Sequence, residues 1–279
     1  MKKTQILAIL NLLALLIHVT LSYSIQFKLI NDRDAGQIAD VYNSLFTPAD
    51  ITFAIWGVIY TALLFFCIYH IRMAFRQRQT HAANENVNRM GGWFILNNLG
   101  AAAWLLVWTN GMIPASAGLI IFQLITVIIL NIRLHIHDPH ARIDSKIFTH
   151  FPLSIYFGWV TIATVANISV YLIASGWNGF GFDYSPIEWT RIMIGVVVFL
   201  TVLIVFARQN VLFGLVVAWA LYGIALKRAS VNPAVYFEVI RTAWIGLGIV
   251  AASCIIQFIL NVTAKRELPP FPQNATSTK

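Results

Sequence analysis

Phe151-Pro-Leu-Ser-Ile-Tyr-Phe-Gly-Trp-Val-Thr-Ile-Ala-Thr-Val-Ala-Asn-Ile-Ser-Val-Tyr-Leu172 is a 22-residue stretch without one charged side chain. As an α-helix it would be about 33 Å long, enough to cross a hydrocarbon core of about 30 Å. It is too polar in one place for a plain lipid-facing anchor. Trp159, Ala163 and Asn167 recur every four residues and so share a helical face. Thr164 and Ala166 lie near that face. A large aromatic, a small residue and an amide in one stripe suit a surface that packs against, or holds, something flat. The other helices are expected to be arranged around it.

The rest of the chain agrees with a membrane setting. Of 279 residues, 58% are hydrophobic and 11% charged, against roughly 25% charged in soluble domains. Mean hydropathy is +0.73. Apolar stretches of helical span length recur from end to end, whereas a transmembrane barrel would show short alternating segments. The net charge of +8 follows from the positive-inside rule without nucleic acid as a partner. Cys67 and Cys254 both fall in expected spans, so neither a disulfide framework nor a zinc-type spacing is present.

In chain order, Met1-Lys-Lys precedes an apolar run from Gln5 to Tyr23. It reads as an uncleaved first span rather than a signal peptide, with His18 inside it as a bundle-facing histidine bonded to a neighbouring carbonyl. Residues 25–50 read as a polar, acid-rich loop. Span two runs from about Ile51 to Met73, opened by Pro48 and Asp50, with Trp56 and Tyr60 four apart. Arg72, Arg76, Arg78 and Arg89 follow as a basic loop. Span three, about Gly92 to Thr109, sets Asn97, Ala101, Trp104 and Trp108 on one face. After the Asn110-Gly111 turn, span four runs to about Leu134, and the quoted stretch is span five. Three more spans are expected at about Trp189–Ala207, Val211–Ala225 and Val235–Asn261. The chain thus divides into a five-helix unit (1–175), three additional helices (176–262) and a polar, disordered tail (263–279).

Eight spans put both termini on one side. That side then holds 13 Lys and Arg residues against 6 opposite, so the termini are expected in the cytoplasm. Lys227, Arg228 and Arg241 run against the trend. The alternative is seven spans, with 191–226 as one re-entrant unit.

The spans contain almost no buried acid or base, and no nucleophile–base pair, phosphate loop or dinucleotide fingerprint appears. The missing intramembrane carboxylates count against an ion-driven pump, though not against a facilitator. His135, His137 and His140 could bind a metal, but Pro139 breaks the helical register and the plainer reading is a basic loop. What the spans do offer is tryptophan. Trp93, Trp177 and Trp189 read as interfacial belt residues. Trp56, Trp104 and Trp159 sit deeper, each on a face with another aromatic or an amide. An aromatic, weakly polar cavity suits a flat hydrophobic ligand such as a porphyrin or a sterol.

Three segments, in order, resemble the TspO/MBR family, the tryptophan-rich sensory proteins related to the mitochondrial translocator protein. Phe46-Thr-Pro-Ala-Asp-Ile-Thr-Phe-Ala-Ile-Trp-Gly-Val-Ile-Tyr60 is similar to the family's proline-containing loop and second helix. Trp104 and Trp108 resemble its third-helix aromatics. Trp159-Val-Thr-Ile-Ala-Thr-Val-Ala-Asn167 resembles its fifth-helix signature and is the most specific match. The resemblance covers about residues 1–175, and the remainder fits a longer bacterial branch. The family's loop tryptophan is Ile51 here, its third-helix asparagine is Ala101 with Asn97 one turn earlier, and Pro152 lies seven residues before Trp159 rather than four.

The resemblance implies a multi-pass protein of the bacterial inner membrane, whose first five helices form the family's bundle and bind a tetrapyrrole (porphyrin or haem), with a sterol as second candidate. Trp56, Tyr60, Trp104, Trp108, Trp159, Ala163, Asn167 and Asn97 would line the site. No cofactor is required and no catalysis is expected, although porphyrin breakdown has been proposed for the family. The alternative is a permease or permease subunit, motivated by the extra helices and by polar Asn97, Gln123, Asn167 and Gln257. A metal-dependent membrane enzyme built on the histidines is third. Gly92, Ala101 and Ala102 suit either a homodimer contact or packing within the chain.

Overall fold

The computed structural model describes residues 1–30, 32–33, 35–42, 44–136, 138, 141–177 and 184–266. Its regular elements are all helical, with no strand among the described residues. In order they are α1 (Lys3–Gln26), α2 (Ala35–Val41), a 3₁₀ turn (Asp50–Ala54), α3 (Ile55–Arg76), α4 (Ala82–Met90), α5 (Trp93–Thr109) and α6 (Ile113–Arg133). Then come the short α7 (Ile143–Ser145), a π turn (Lys146–His150), α8 (Phe151–Ala174), α9 (Pro186–Ala207), α10 (Val211–Val231) and α11 (Phe237–Arg266). Among the described residues seven helical segments are long and apolar enough to span a membrane, and the bent pair α4–α5 passes the same test when the two helices are taken together. This is an all-α multi-pass membrane protein.

Local chemistry explains the breaks. Gly91 adopts φ 56°, which only glycine tolerates cheaply, and α4 meets α5 at 55° there. The expected basic loop before span three therefore contains a short helix. Gly111, at φ 71°, makes the tight α5–α6 turn. Pro114, Pro152 and Pro186 sit in the first turns of α6, α8 and α9, where no amide donor is needed. Ser185 and Glu188 close a reciprocal cap on α9. Between α9 and α10 the Asn210 Oδ1 accepts from the Phe213 amide at 3.1 Å.

Those last two helices, of 22 and 21 residues, are separate and full-length. The re-entrant alternative for 191–226 is therefore not what the chain forms. The expected tail begins late, because α11 continues through Thr263 to Arg266. The rest of the tail, from 267, lies outside the described residues.

The first five spans close a ring. α1 packs on α3 and α5, α5 on α6, α6 on α8, and α8 returns to α3. α9, α10 and α11 pack on one another as a second unit, which meets the ring mainly through α10 against α8. Asn97 pins the ring's interior. Its Nδ2 donates to Thr126 Oγ1 at 2.7 Å and to the Gln123 carbonyl at 3.1 Å, while its Oδ1 accepts from the Tyr156 hydroxyl at 2.7 Å. One amide thus ties α5, α6 and α8 where no water competes. Ala101 and Ala102 are buried within the chain.

Candidate functional site

The ring is not filled. At the end away from the N-terminus it borders a partly open cavity of about 570 Å³, within the range of roughly 300–1,000 Å³ for small-molecule sites. α1 contributes His18, Ser22 and Tyr23; α3 contributes Trp56, Gly57 and Tyr60. α5 brings Trp104, Leu105 and Trp108, and α8 brings Trp159, Ile162, Ala163, Ala166, Asn167 and Val170. The roof is made by α2 with Gly36, Gln37, Ala39 and Asp40, and by Thr47, Pro48, Asp50, Phe53 and Ala54 around the 3₁₀ turn.

The helical spacing read from the sequence translates into aromatic pairs. Trp56 and Tyr60 stack with ring centroids 5.0 Å apart, and Trp104 and Trp108 stack at 5.7 Å. Trp159 stands edge-on to Trp56 at 6.1 Å and to Phe53 at 5.7 Å. Edge-to-face and offset stacks are the favoured aromatic arrangements, so the walls are rigid without a ligand. The amide of the α8 stripe fixes one wall: Asn167 Oδ1 accepts from Trp104 Nε1 at 3.5 Å, and its Nδ2 donates to Ser116 Oγ at 3.1 Å.

Seven of the eight residues singled out from the sequence, Trp56, Tyr60, Trp104, Trp108, Trp159, Ala163 and Asn167, line this one cavity. Asn97 does not. It shares a broad face with Trp104, but its amide is turned to Thr126 and Tyr156, where it is a structural tie. Ile51, which stands at the loop tryptophan's place, is exposed.

His18 was undervalued by its sequence reading. It bonds to side chains rather than to a carbonyl, and it lines the cavity. Its Nδ1 lies 3.1 Å from Asn98 Oδ1. The Asn98 amide nitrogen donates to the Phe94 carbonyl, so Oδ1 is an acceptor and Nδ1 carries the proton. The bare Nε2 faces the Tyr60 hydroxyl at 3.4 Å, and that hydroxyl donates to Ser22 Oγ at 2.9 Å. Three donors or hydroxyls on the cavity lining are buried without a partner: Trp159 Nε1, Gln123 Nε2 and Thr47 Oγ1. Charge is confined to the roof, where Asp40 pairs with Lys227 and Asp50 is exposed.

Among the described residues no three His, Cys, Asp or Glu side chains gather into a metal site. His135 lies just past the end of α6 with φ 48°, whereas His137 and His140 lie outside the described residues.

A family model described as TSPO-like protein matches residues 8–256. This chain belongs to the TSPO-like family. The match runs well past residue 175 and takes in α9, α10 and most of α11, so the second unit lies within the TSPO-like region. No curated protein and no solved structure matches the chain.

Proposed function

We propose that the aromatic cavity of this TSPO-like membrane protein binds a flat hydrophobic ligand, and that the protein acts as a sensory or translocator-like binder rather than as an enzyme. A tetrapyrrole, porphyrin or haem, is the first candidate and a sterol the second. The observation that carries the reading is the pair of stacked aromatic walls, Trp56–Tyr60 on α3 and Trp104–Trp108 on α5, with Trp159 between them around one volume. Flat faces bury large apolar area on such walls.

The two ligand classes differ at the roof. A porphyrin's carboxylates have to face Asp40 and Asp50, whereas a sterol brings no charge. Titration of the detergent-purified protein with protoporphyrin IX, followed by tryptophan quenching, tests the reading. Saturation near micromolar, weakened at least ten-fold by Trp159→Ala and by Trp104→Ala, is expected. Unchanged affinity in both variants would remove this cavity as the site.

Three of the four polar positions that motivated a permease make side-chain hydrogen bonds, whereas the Gln123 Nε2 makes none. Asn97 and Asn167 tie helices together, and Gln257 donates to Asn261. The basic end of the bundle supports an inner-membrane orientation with both termini in the cytoplasm. A fluorescent C-terminal fusion, which needs cytoplasmic folding to mature, should be bright.

A further inference from the structure

The roof of the cavity is fastened from outside the five-helix ring. Among the described residues, three polar ties reach it from α10. The Ala49 amide donates to the Gly223 carbonyl at 3.0 Å. Trp219 Nε1 donates to the Thr52 carbonyl at 3.0 Å. Lys227 pairs with Asp40, which itself lines the cavity. These three residues of α10 lie four apart, so they form one stripe along the helix. Gly223 also lets the roof come close. A Cβ there would overlap Thr52 Oγ1 and stand 3.0 Å from Pro48 Cβ.

The ring holds the roof by packing. Phe53 meets the Trp159 edge, and Ile38 and Ala39 of α2 seat on Trp108, Ile113 and Val170. The hydroxyls of Thr47 and Thr52 make no bond. The polar ties from α10 thus add to this packing in holding the roof.

We infer that Trp219, Gly223 and Lys227 of α10 are positioning residues for the cavity, and that the second helical unit thereby sets how fast a ligand enters and leaves. The inference rests on the reading of the cavity as a ligand site. Its first readout is independent of any ligand. Ala163 lines the cavity, while Cys67 and Cys254 are buried. A change in the maleimide labelling rate of Ala163→Cys in the full chain therefore reports a change in access past the roof, with the unsubstituted protein as blank.

Trp219→Phe keeps the ring and removes the N–H. Losing one such bond should raise the labelling rate about five-fold. Lys227→Met, at an exposed ion pair, should raise it about two-fold. Gly223→Leu should exceed both. In chains without the added cysteine, porphyrin association and dissociation should quicken together, with Kd changing less than either rate. Loss of a wall contact would instead raise dissociation and Kd together.

Labelling within experimental error of the parent in Trp219→Phe would overturn the inference, even if Gly223→Leu failed to fold. Faster labelling in a protein that binds no porphyrin would keep the fastening role and remove the tetrapyrrole reading. Unchanged labelling beside saturable porphyrin binding would do the reverse.

Discussion

The five-helix ring and the three-helix unit are written in the same apolar alphabet, and their small residues show where they part. In the α9–α11 unit, Gly214 and Gly246 are contact points. A Cβ on Gly214 would overlap Cys254 Sγ and stand 2.8 Å from Val205 Cγ2; one on Gly246 would stand 2.8 Å from Val198 Cγ2. At these two positions glycine brings helices together and leaves no room, as expected where lipid gives no hydrophobic drive and packing holds helices. In the ring, Gly57 borders the cavity with nothing within 4 Å of a built Cβ, and Ala163 and Ala166 face the same space. Gly214 and Gly246 therefore act as a brace, whereas Gly57, Ala163 and Ala166 leave room for a container; Gly100, packed on Phe122, shows that the ring also has braces of its own. What decides is whether a neighbouring side chain reaches into the gap.

The largest expected contrast comes from enlarging one residue in each unit. Gly246→Leu should destabilise the protein by about 3 kcal/mol, the upper range for overpacking, read as a lowered thermal midpoint in detergent. Ala163→Phe should leave the midpoint nearly unchanged while cutting porphyrin affinity more than ten-fold, because it fills empty volume. Equal stability losses at both positions would erase the distinction between brace and container.

Removing a wall should act next. Trp159→Ala deletes the ring that meets both Phe53 and Trp56. It should weaken binding by ten-fold or more, as loss of a buried aromatic anchor does. The titration in detergent checks it.

Asn97→Ala sharpens the comparison from the other side. It orphans the Tyr156 hydroxyl and the Thr126 contact, at about 1–2 kcal/mol of stability. Affinity should stay within about two-fold, because the amide faces α6 and α8 rather than the cavity. Unfolding in denaturant, run beside the titration, separates the two effects.

The smallest effect is expected at the roof. Asp50 is exposed and has no ion pair among the described residues, so Asp50→Asn relieves only screened repulsion. It should raise porphyrin affinity about two-fold at low salt and leave sterol affinity unchanged. Equal effects on both ligands would mean that the carboxylates do not face this end.

Much of this was legible in the residues. The spans follow from hydropathy and length, and the aromatic walls follow from i, i+4 spacing, because a helix face survives folding. Asn97 was misplaced because a face of Asn97, Ala101, Trp104 and Trp108 is broad enough for one edge to turn toward α6 while the other meets the cavity. His18 and Gln123 sit alone among apolar neighbours, and no spacing rule says which way a lone side chain turns. The roof was hidden for a different reason. Residues 25–50 read as a polar loop, and their place over the cavity depends on α10, nearly two hundred residues later. The bend at Gly91 was visible only as a Gly-Gly pair at a span boundary.

The most direct test of the central claim, that the ring is a container for a flat ligand, is protoporphyrin IX titration of Ala163→Phe beside the parent, with thermal midpoints recorded on the same samples. The account predicts saturable tryptophan quenching in the parent, its loss in Ala163→Phe, and matching midpoints. Saturable quenching of equal affinity in both proteins would contradict it.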